Sequence, residues 1–551
     1  MRMIRNANFD TVLAGLRARM RAEDGATVII ALGVLAVSSL LVAGSFAAVQ
    51  SDAPLAQRDL EAKRAYYSAR SGVNAFLYEL NRDPNYWQTC PKQLTKKSIG
   101  GFSPGKYTFE PVPANGASAC SPSPPTSGDP ISTLIDFTTG TFQYRFVGYA
   151  GNPEVKRGLI ATFRKDTPLD YLWYTIYETL DPNTYDNPAD FYDCGWNRTP
   201  RPDDCVDIVW GASDDLNGPA YTQDQYMISG NPRFGRINTN DKIESAATTT
   251  DPNNLNRICA FDDCQSADFK GTKVPNAPII SPPPDNDELL ADAQRYGKVY
   301  TGVTFINLTG TTATITKCPT LPCTTETINI GRVLPNVPII YVNNGTGCSY
   351  SYSPYNPTYP TSGPCGTAIV KSTPNYGRSL TIAADSDVIV EGPIVKSNVA
   401  PAPVLGLVAN NFVRVKHPLN NRPQPPVRND CGSATNGAGS LVEPQSRIDA
   451  AILAIKHSFI VDNWDCGAVM EELTIKGAIA QLYRGTVGRG VSSPGGSGYK
   501  KDYNYDDRLA VAQPPYLFDI AASSWNITRE TACVPGGTAS STTCGTPTSL
   551  P

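Results

Sequence analysis

From Gly25 to Ser51 the chain runs for 27 consecutive residues without a charge, and all fourteen cysteines lie downstream. Within that window Ala26 to Val49 supplies 24 mostly apolar positions. Coiled into a helix at about 1.5 Å per residue, they reach about 36 Å, enough to cross a bilayer core with some tilt. A membrane anchor with a large displayed domain behind it is the expectation that follows.

Charge alone gives the orientation only thinly. Arg2, Arg5, Arg17, Arg19 and Arg21 precede the span, but Arg58, Lys63, Arg64 and Arg70 follow it. The cysteines decide the side. They fall into seven sequential pairs: Cys90/Cys120, Cys194/Cys205, Cys259/Cys264, Cys318/Cys323, Cys348/Cys365, Cys431/Cys466 and Cys533/Cys544. An even number at local spacings among Pro and Gly reads as disulfide-stapled loops in an oxidising compartment, with nearest-neighbour pairing as the working assignment. A zinc site is disfavoured, because there is no CxxC and the histidines are His417 and His457. A cleaved signal peptide, cut at Ser45 to Ala48, would instead release a secreted scaffold. The apolar run is longer than the usual 7–15 residues of a signal core, which favours an anchor that is uncleaved or trimmed only at its leader.

The length of 551 residues corresponds to three or four ordinary domains. With 45 Gly and 47 Pro, about one residue in six is a turn former, against about one in eight on average. This composition suits short strands joined by many turns. The net charge of −4 gives no footprint for nucleic acid.

Helical periodicity continues past the membrane segment. Ala62, Tyr66, Ala69, Val73, Phe76 and Leu80 recur every three or four residues, opposite Arg58, Asp59, Glu61, Lys63, Arg64 and Arg70. Pro54 predicts a kink or a loosened turn, and Asp83-Pro84 an end.

An acidic-Gly junction, the apolar run and then AKRAYYSARSGVNAFLYELNRDP resemble the N-terminal segment of PilX-like minor pilins, which are type IV pilus assembly proteins. Residues 163–182, 218–235, 405–418 and 498–516 look like the large pilin-associated proteins of actinobacteria. The resemblance implies processing at Gly25–Ala26 and packing of helix 50–83 against other pilin-like subunits. Prepilins of this kind carry an aromatic residue first and a Glu fifth after the cut, whereas Ala26 and Ile30 stand here. A rare or terminal subunit accommodates that departure better than a shaft subunit, since a lipid-buried carboxylate needs a partner. The domain plan expected is a cytoplasmic leader (1–25), a transmembrane segment (26–49), an amphipathic helix extension (50–83), a small pilin-like β domain (84–165), a large β-rich domain (166–515) and a C-terminal tail (516–551).

The fold class expected is α+β, mainly β: a long N-terminal helix followed by a β-rich head. Runs at 106–112, 141–151 and 157–165 suit an antiparallel sheet, which in pilin-like proteins packs on the exposed half of the helix. Further on, the runs 379–397, 404–417, 450–461 and 472–488 share an apolar triplet, a small or polar break and a second apolar triplet. That pattern predicts successive rungs of a parallel β-solenoid, with a sandwich as the structural alternative. A short helix is expected at 287–296, capped by Asp285 or Asn286.

Candidate chemistry is sparse. Asp502, Asp506 and Asp507 sit in KKDYNYDDR, where a carboxylate pair for glycan cleavage and a turn capped by Arg508 are both readable. The same stretch lacks the calcium-loop register. There is no GxSxG elbow and no phosphate loop, and 488–498 reads as a flexible loop. The Tyr/Pro-rich stretch 350–365, bracketed by Cys348 and Cys365, offers aromatic faces for a surface glycan or protein ligand. The reading that results is a membrane-anchored, non-enzymatic, minor-pilin-like structural protein of pilus assembly. It needs no cofactor or metal, its partners are the membrane and pilin-like subunits, and its exposed head is suited to adhesion. The alternative is a tethered β-helix enzyme acting on cell-wall or extracellular polysaccharide.

Overall fold

The computed structural model describes residues 9–83, 86–100, 105–113, 134–136, 141–165, 167–185, 206–247, 258–259, 265–332, 335–399, 402–442, 446–491, 494–510, 513–517 and 525–533. Mainly β architecture with one long N-terminal helix is what these residues form.

Helix α1 spans Phe9–Arg82 without interruption. Pro54 lies inside the helix, which continues through it. Its apolar window, Val28–Ser45, has a mean hydropathy of 2.4 and none of it is buried by the rest of the chain. Its last third behaves differently: Ala65, Ala69, Val73, Phe76 and Leu80 are buried on one face.

That face lies on an antiparallel sheet in the order Gln93–Ser98, Lys106–Val112, Thr141–Ala150, Val155–Lys165 and Trp525–Cys533. Small residues let the two layers approach closely. A methyl group on Gly148 would stand 1.9 Å from the Ala65 carbonyl oxygen and 2.4 Å from the Ala69 nitrogen. Around this contact Phe76 packs between the rings of Tyr144 at 4.2 Å and Phe163 at 5.2 Å. The last strand corrects the sequence reading, in which 516–551 was a tail: Trp525 pairs with Lys165 and Cys533 with Gly158. The rest of the head is thus inserted between two neighbouring strands of this sheet.

The inserted part is built from ladders of parallel strands. One runs in the order Lys298–Thr301, Ile339–Asn343, Leu380–Ala384, Leu405–Ala409, Ala451–Ala454, Val469–Tyr483, Trp173–Tyr177, Ala220–Thr222, Lys242–Ser245 and Thr272–Pro275. A second joins Arg447–Ile448, Val469–Tyr483, Ser497–Tyr505, Asp215–Asn217, Arg233–Phe234 and Asp268–Phe269. A third joins Val303–Gly310, Ala368–Tyr376, Val388–Val390, Val413–Val415 and Phe459–Val461. In 379–397, 404–417 and 450–461 the apolar triplets are strands of the first and third ladders, and the breaks between them are corners that stack on one another. Asn410 N, for example, donates to the Ala384 carbonyl and Asn411 N to that of Ser386. The run 472–488 departs from the expectation, since Val469–Tyr483 is one unbroken strand shared by the first and second ladders. At the edge of the third ladder Val303–Gly310 also forms an antiparallel hairpin with Thr312–Cys318, extended by Thr324–Asn329.

Spatial order differs from chain order. The strands between 173 and 275 stack beyond 469–505, so the chain must return along the pile before Lys298. It does so as a strap. The Tyr221 hydroxyl donates to the Pro278 carbonyl and that of Tyr174 to Ile280. Asn286 then donates to the Ala384 carbonyl, and helix α2 (Asp287–Tyr296) packs on Ile339–Asn343. Asn286 occupies the N-cap position of α2, but its side chain makes no capping bond and serves this strap instead.

Candidate functional site

Two faces of α1 divide its work. Opposite the face buried on the sheet, Leu60, Tyr67 and Tyr78 are 47%, 62% and 65% exposed. At 100° per residue these three fall within one narrow stripe. The sequence reading assigned this side to charges, several of which pair among themselves: Lys63 with Asp59 at 2.8 Å and Arg64 with Glu61 at 2.7 Å. Spacings of seven and eleven residues between Leu60, Tyr67 and Tyr78 were the signal available for the stripe. Gly25 and Ala26 lie within α1.

Three of the expected cysteine pairs are disulfides: Cys318–Cys323, Cys348–Cys365 and Cys431–Cys466. Cys90, Cys259 and Cys533 are also disulfide-bonded. Their expected partners Cys120, Cys264 and Cys544, and both Cys194 and Cys205, lie outside the described residues.

The acid cluster does not converge on an open site. Asp506 accepts from Lys396 at 2.9 Å and is gripped by the Arg508 guanidinium. Burial pushes its carboxyl up, but bonds and charge from Arg508 and Lys396 prevail and hold it down at about 2. Asp507 pairs with Arg236 at 2.8 Å, while Asp502 accepts from Thr474 and Asn504. These are the contacts of a cross-braced turn.

Both histidines are engaged. His417 is fully buried, with Nδ1 3.0 Å from the Asp462 carbonyl and Nε2 3.1 Å from Asn436 Oδ1. Desolvation lowers its pKa. His457 lies 2.9 Å from Asp181. Among the described residues, no group of three or more His, Cys, Asp or Glu could hold a metal ion.

The Tyr/Pro stretch is not a display of free aromatic faces. The Tyr350 hydroxyl donates to Asp387 and that of Tyr352 to Asp462, both at 2.7 Å. Between those carboxylates lies Arg414, 3.0 Å from Asp387 and 3.1 Å from Asp462, with the Tyr352 ring 4.2 Å above its guanidinium. The loop is a lid over a buried ionic cluster. Nor is 488–498 structureless, since Gly488–Arg489 pairs antiparallel with Ser497 and Gly498.

Sequence reasoning did not find a second ionic cluster, where the 173–222 strands meet 469–505. Arg484 and Glu178 are both fully buried and 2.9 Å apart. The Trp173 and Trp210 indoles also donate to Glu178, and Arg484 lies 3.9 Å from the Trp210 ring centre. Beside them Lys501 donates to both carboxylate oxygens of Asp214 at 2.8 Å.

No protein-family model matches the chain, and no curated protein matches it. Among solved structures, the competence-associated pilin ComZ from Thermus thermophilus aligns with a TM-score of 0.26 and 11% identity, covering 86% of this chain and 97% of that one.

Proposed function

We propose that the protein is a membrane-anchored, minor-pilin-like structural component of type IV pilus assembly, with its disulfide-stapled β head outside the membrane and acting in adhesion. One observation carries this reading. A single helix, Phe9–Arg82, is bare and apolar over Val28–Ser45 and then buries one face on its own sheet. A helix with no partner over its apolar part is suited to lipid, and the outward Leu60, Tyr67 and Tyr78 offer a seam for neighbouring helices. The three disulfides fit an oxidising, extracytoplasmic setting for the head. The parallel ladders suit a β-solenoid, a stiff stalk-like platform in which each rung rests on its neighbours. We assign no catalytic step, because Asp502, Asp506 and Asp507 are each engaged in pairs that brace the fold.

A deletion strain tests the role: fewer or shorter pili and reduced surface adherence are expected. Normal pili together with normal adherence refute it. The mass of the N-terminal peptide from membranes and sheared filaments reads the route. A start at Ala26 supports prepilin processing, a start at Met1 an ordinary anchor, and a start near residue 49 a released product that refutes anchoring.

A further inference from the structure

A cleft of about 760 Å³ lies between the 206–214 segment, residues 428–429 and residues 486–491. Its volume lies in the range of small-ligand sites, and its walls are fixed before anything enters. One wall is the 206–214 segment. Arg484, itself held by Glu178, donates to the Ile208 carbonyl at 2.7 Å and to that of Val209 at 3.3 Å. The facing wall is the loop tied down by Cys431–Cys466. Arg422 grips Asp465 with two bonds of 2.8 Å, and Asn429 N donates to the same carboxylate at 2.7 Å.

Beside Asp207 and the Asp214–Lys501 pair, the lining brings three chemistries. Ile208, Val209 and Val491 give an aliphatic side, and the Val209 side chain is 41% exposed. Arg428 and Arg489 bring guanidinium groups. Trp464 and Thr486, 7% and 8% exposed, line the cleft, and neither the indole N–H nor the hydroxyl has a hydrogen-bond partner among the described residues. Buried polar groups of this kind are ordinarily satisfied, and an orphan costs free energy until something pairs with it.

We infer that this cleft is a binding site for an anionic saccharide. Sugar hydroxyls would pair with Trp464 and Thr486, a ring carboxylate with the guanidinium groups, and the C–H faces with the aliphatic wall. The inference deepens the adhesive reading above and rests on it for its setting. Gly211 supplies the test. It lines the cleft, a methyl group there meets nothing within 4 Å, and its backbone N–H, which any residue at 211 would keep, donates to the Asp214 carboxylate at 2.9 Å. Gly211→Leu therefore fills the cleft without disturbing the stack.

The probe is digalacturonate, titrated calorimetrically into the full-length protein in detergent micelles, with neutral galactobiose as its counterpart. Saturable digalacturonate binding is expected, with galactobiose at least tenfold weaker. Gly211→Leu should weaken binding tenfold or more at an unchanged melting curve, and Arg489→Gln about tenfold. Absence of saturable binding, equal binding of the two sugars, or unaltered binding by Gly211→Leu overturns the inference. The deletion strain reads adherence and this titration reads the cleft, so the two proposals can fail separately.

Discussion

Replacing Gly148 by alanine is expected to lift α1 off its sheet. The added carbon would lie 1.9 Å from the Ala65 carbonyl oxygen. Ordinary contact needs about 3.5 Å, so the two layers must part by about 1.5 Å. A radial gap of even 0.5–1 Å forfeits about a quarter to a half of a dispersion well, and here it opens along the whole buried face from Ala65 to Leu80. Because backbone crowds the new methyl group, no side-chain rotation relieves it, and the cost belongs at the upper end of overpacking, about 3 kcal/mol. Loss of glycine's freedom in the unfolded chain offsets up to about 1 kcal/mol. The net of about 2 kcal/mol corresponds to roughly 30-fold faster local opening. Native-state amide hydrogen exchange over residues 65–80 and 141–150 of the micelle-bound protein measures it directly. Gly100→Ala, whose new carbon meets nothing within 4 Å, is the matched control. Exchange in Gly148→Ala within about threefold of the control would refute the close-approach reasoning.

Arg484→Met strands Glu178 in a fully buried site and is expected to cost about 3–5 kcal/mol, read by urea melts of Trp fluorescence; adding Glu178→Gln should restore more than half of it. Asp506 is held at about 2, below the about 3.9 of an unfolded chain, so its contribution is complete above about pH 4 and is lost as pH falls toward 2. Asp506→Asn should flatten the pH dependence of melting across that window. Replacing Cys431 and Cys466 together by serine, a separation of 35 residues, is expected to cost about 3 kcal/mol and to expose 418–445 to proteases first.

Local signals were legible where the physics is local. The three-to-four spacing from Ala62 to Leu80 located the helix face because burial on a sheet repeats with the helix turn. The triplet–break–triplet runs 379–397, 404–417 and 450–461 located pairs of parallel-ladder strands because a corner interrupts each apolar run. Pairings between distant segments left no comparable trace. In Trp525–Cys533 only the two end residues are buried, and the partner strand lies more than 350 residues earlier, so no periodicity announced it. Strands of three residues, such as Asp215–Asn217 and Ala220–Thr222, are too short to show a period. The Tyr/Pro loop was correctly placed between its cysteines, but composition alone does not tell a lid over Arg414 from an open aromatic surface. Nor could the cleft be read, since its walls come from 206–214, 428–429 and 486–491, brought together only by the stacking order.

That stacking order also explains where one of the buried ionic clusters sits. Apolar rungs of Ala, Val, Leu and Ile resemble one another, and a one-residue slip turns every side chain to the wrong face. Within 298–483 paired strands of the first ladder follow one another in the chain, their partners 25 positions apart at Leu380↔Leu405 and 45 at Gly406↔Ala451. At the junction of Val469–Tyr483 with Trp173–Tyr177 the paired residues are about 300 positions apart, and no short turn sets the register. Here the chain places Glu178 against Arg484, Asp214 against Lys501, and the Tyr177 ring 5.0 Å from that of Tyr483. A slip would leave each of these ions buried without its partner, a penalty far larger than any loss of apolar contact. At this junction buried charge thus serves where chain connectivity does least to define alignment, and the same Arg484 that registers the junction also fixes the backbone wall of the cleft beside it.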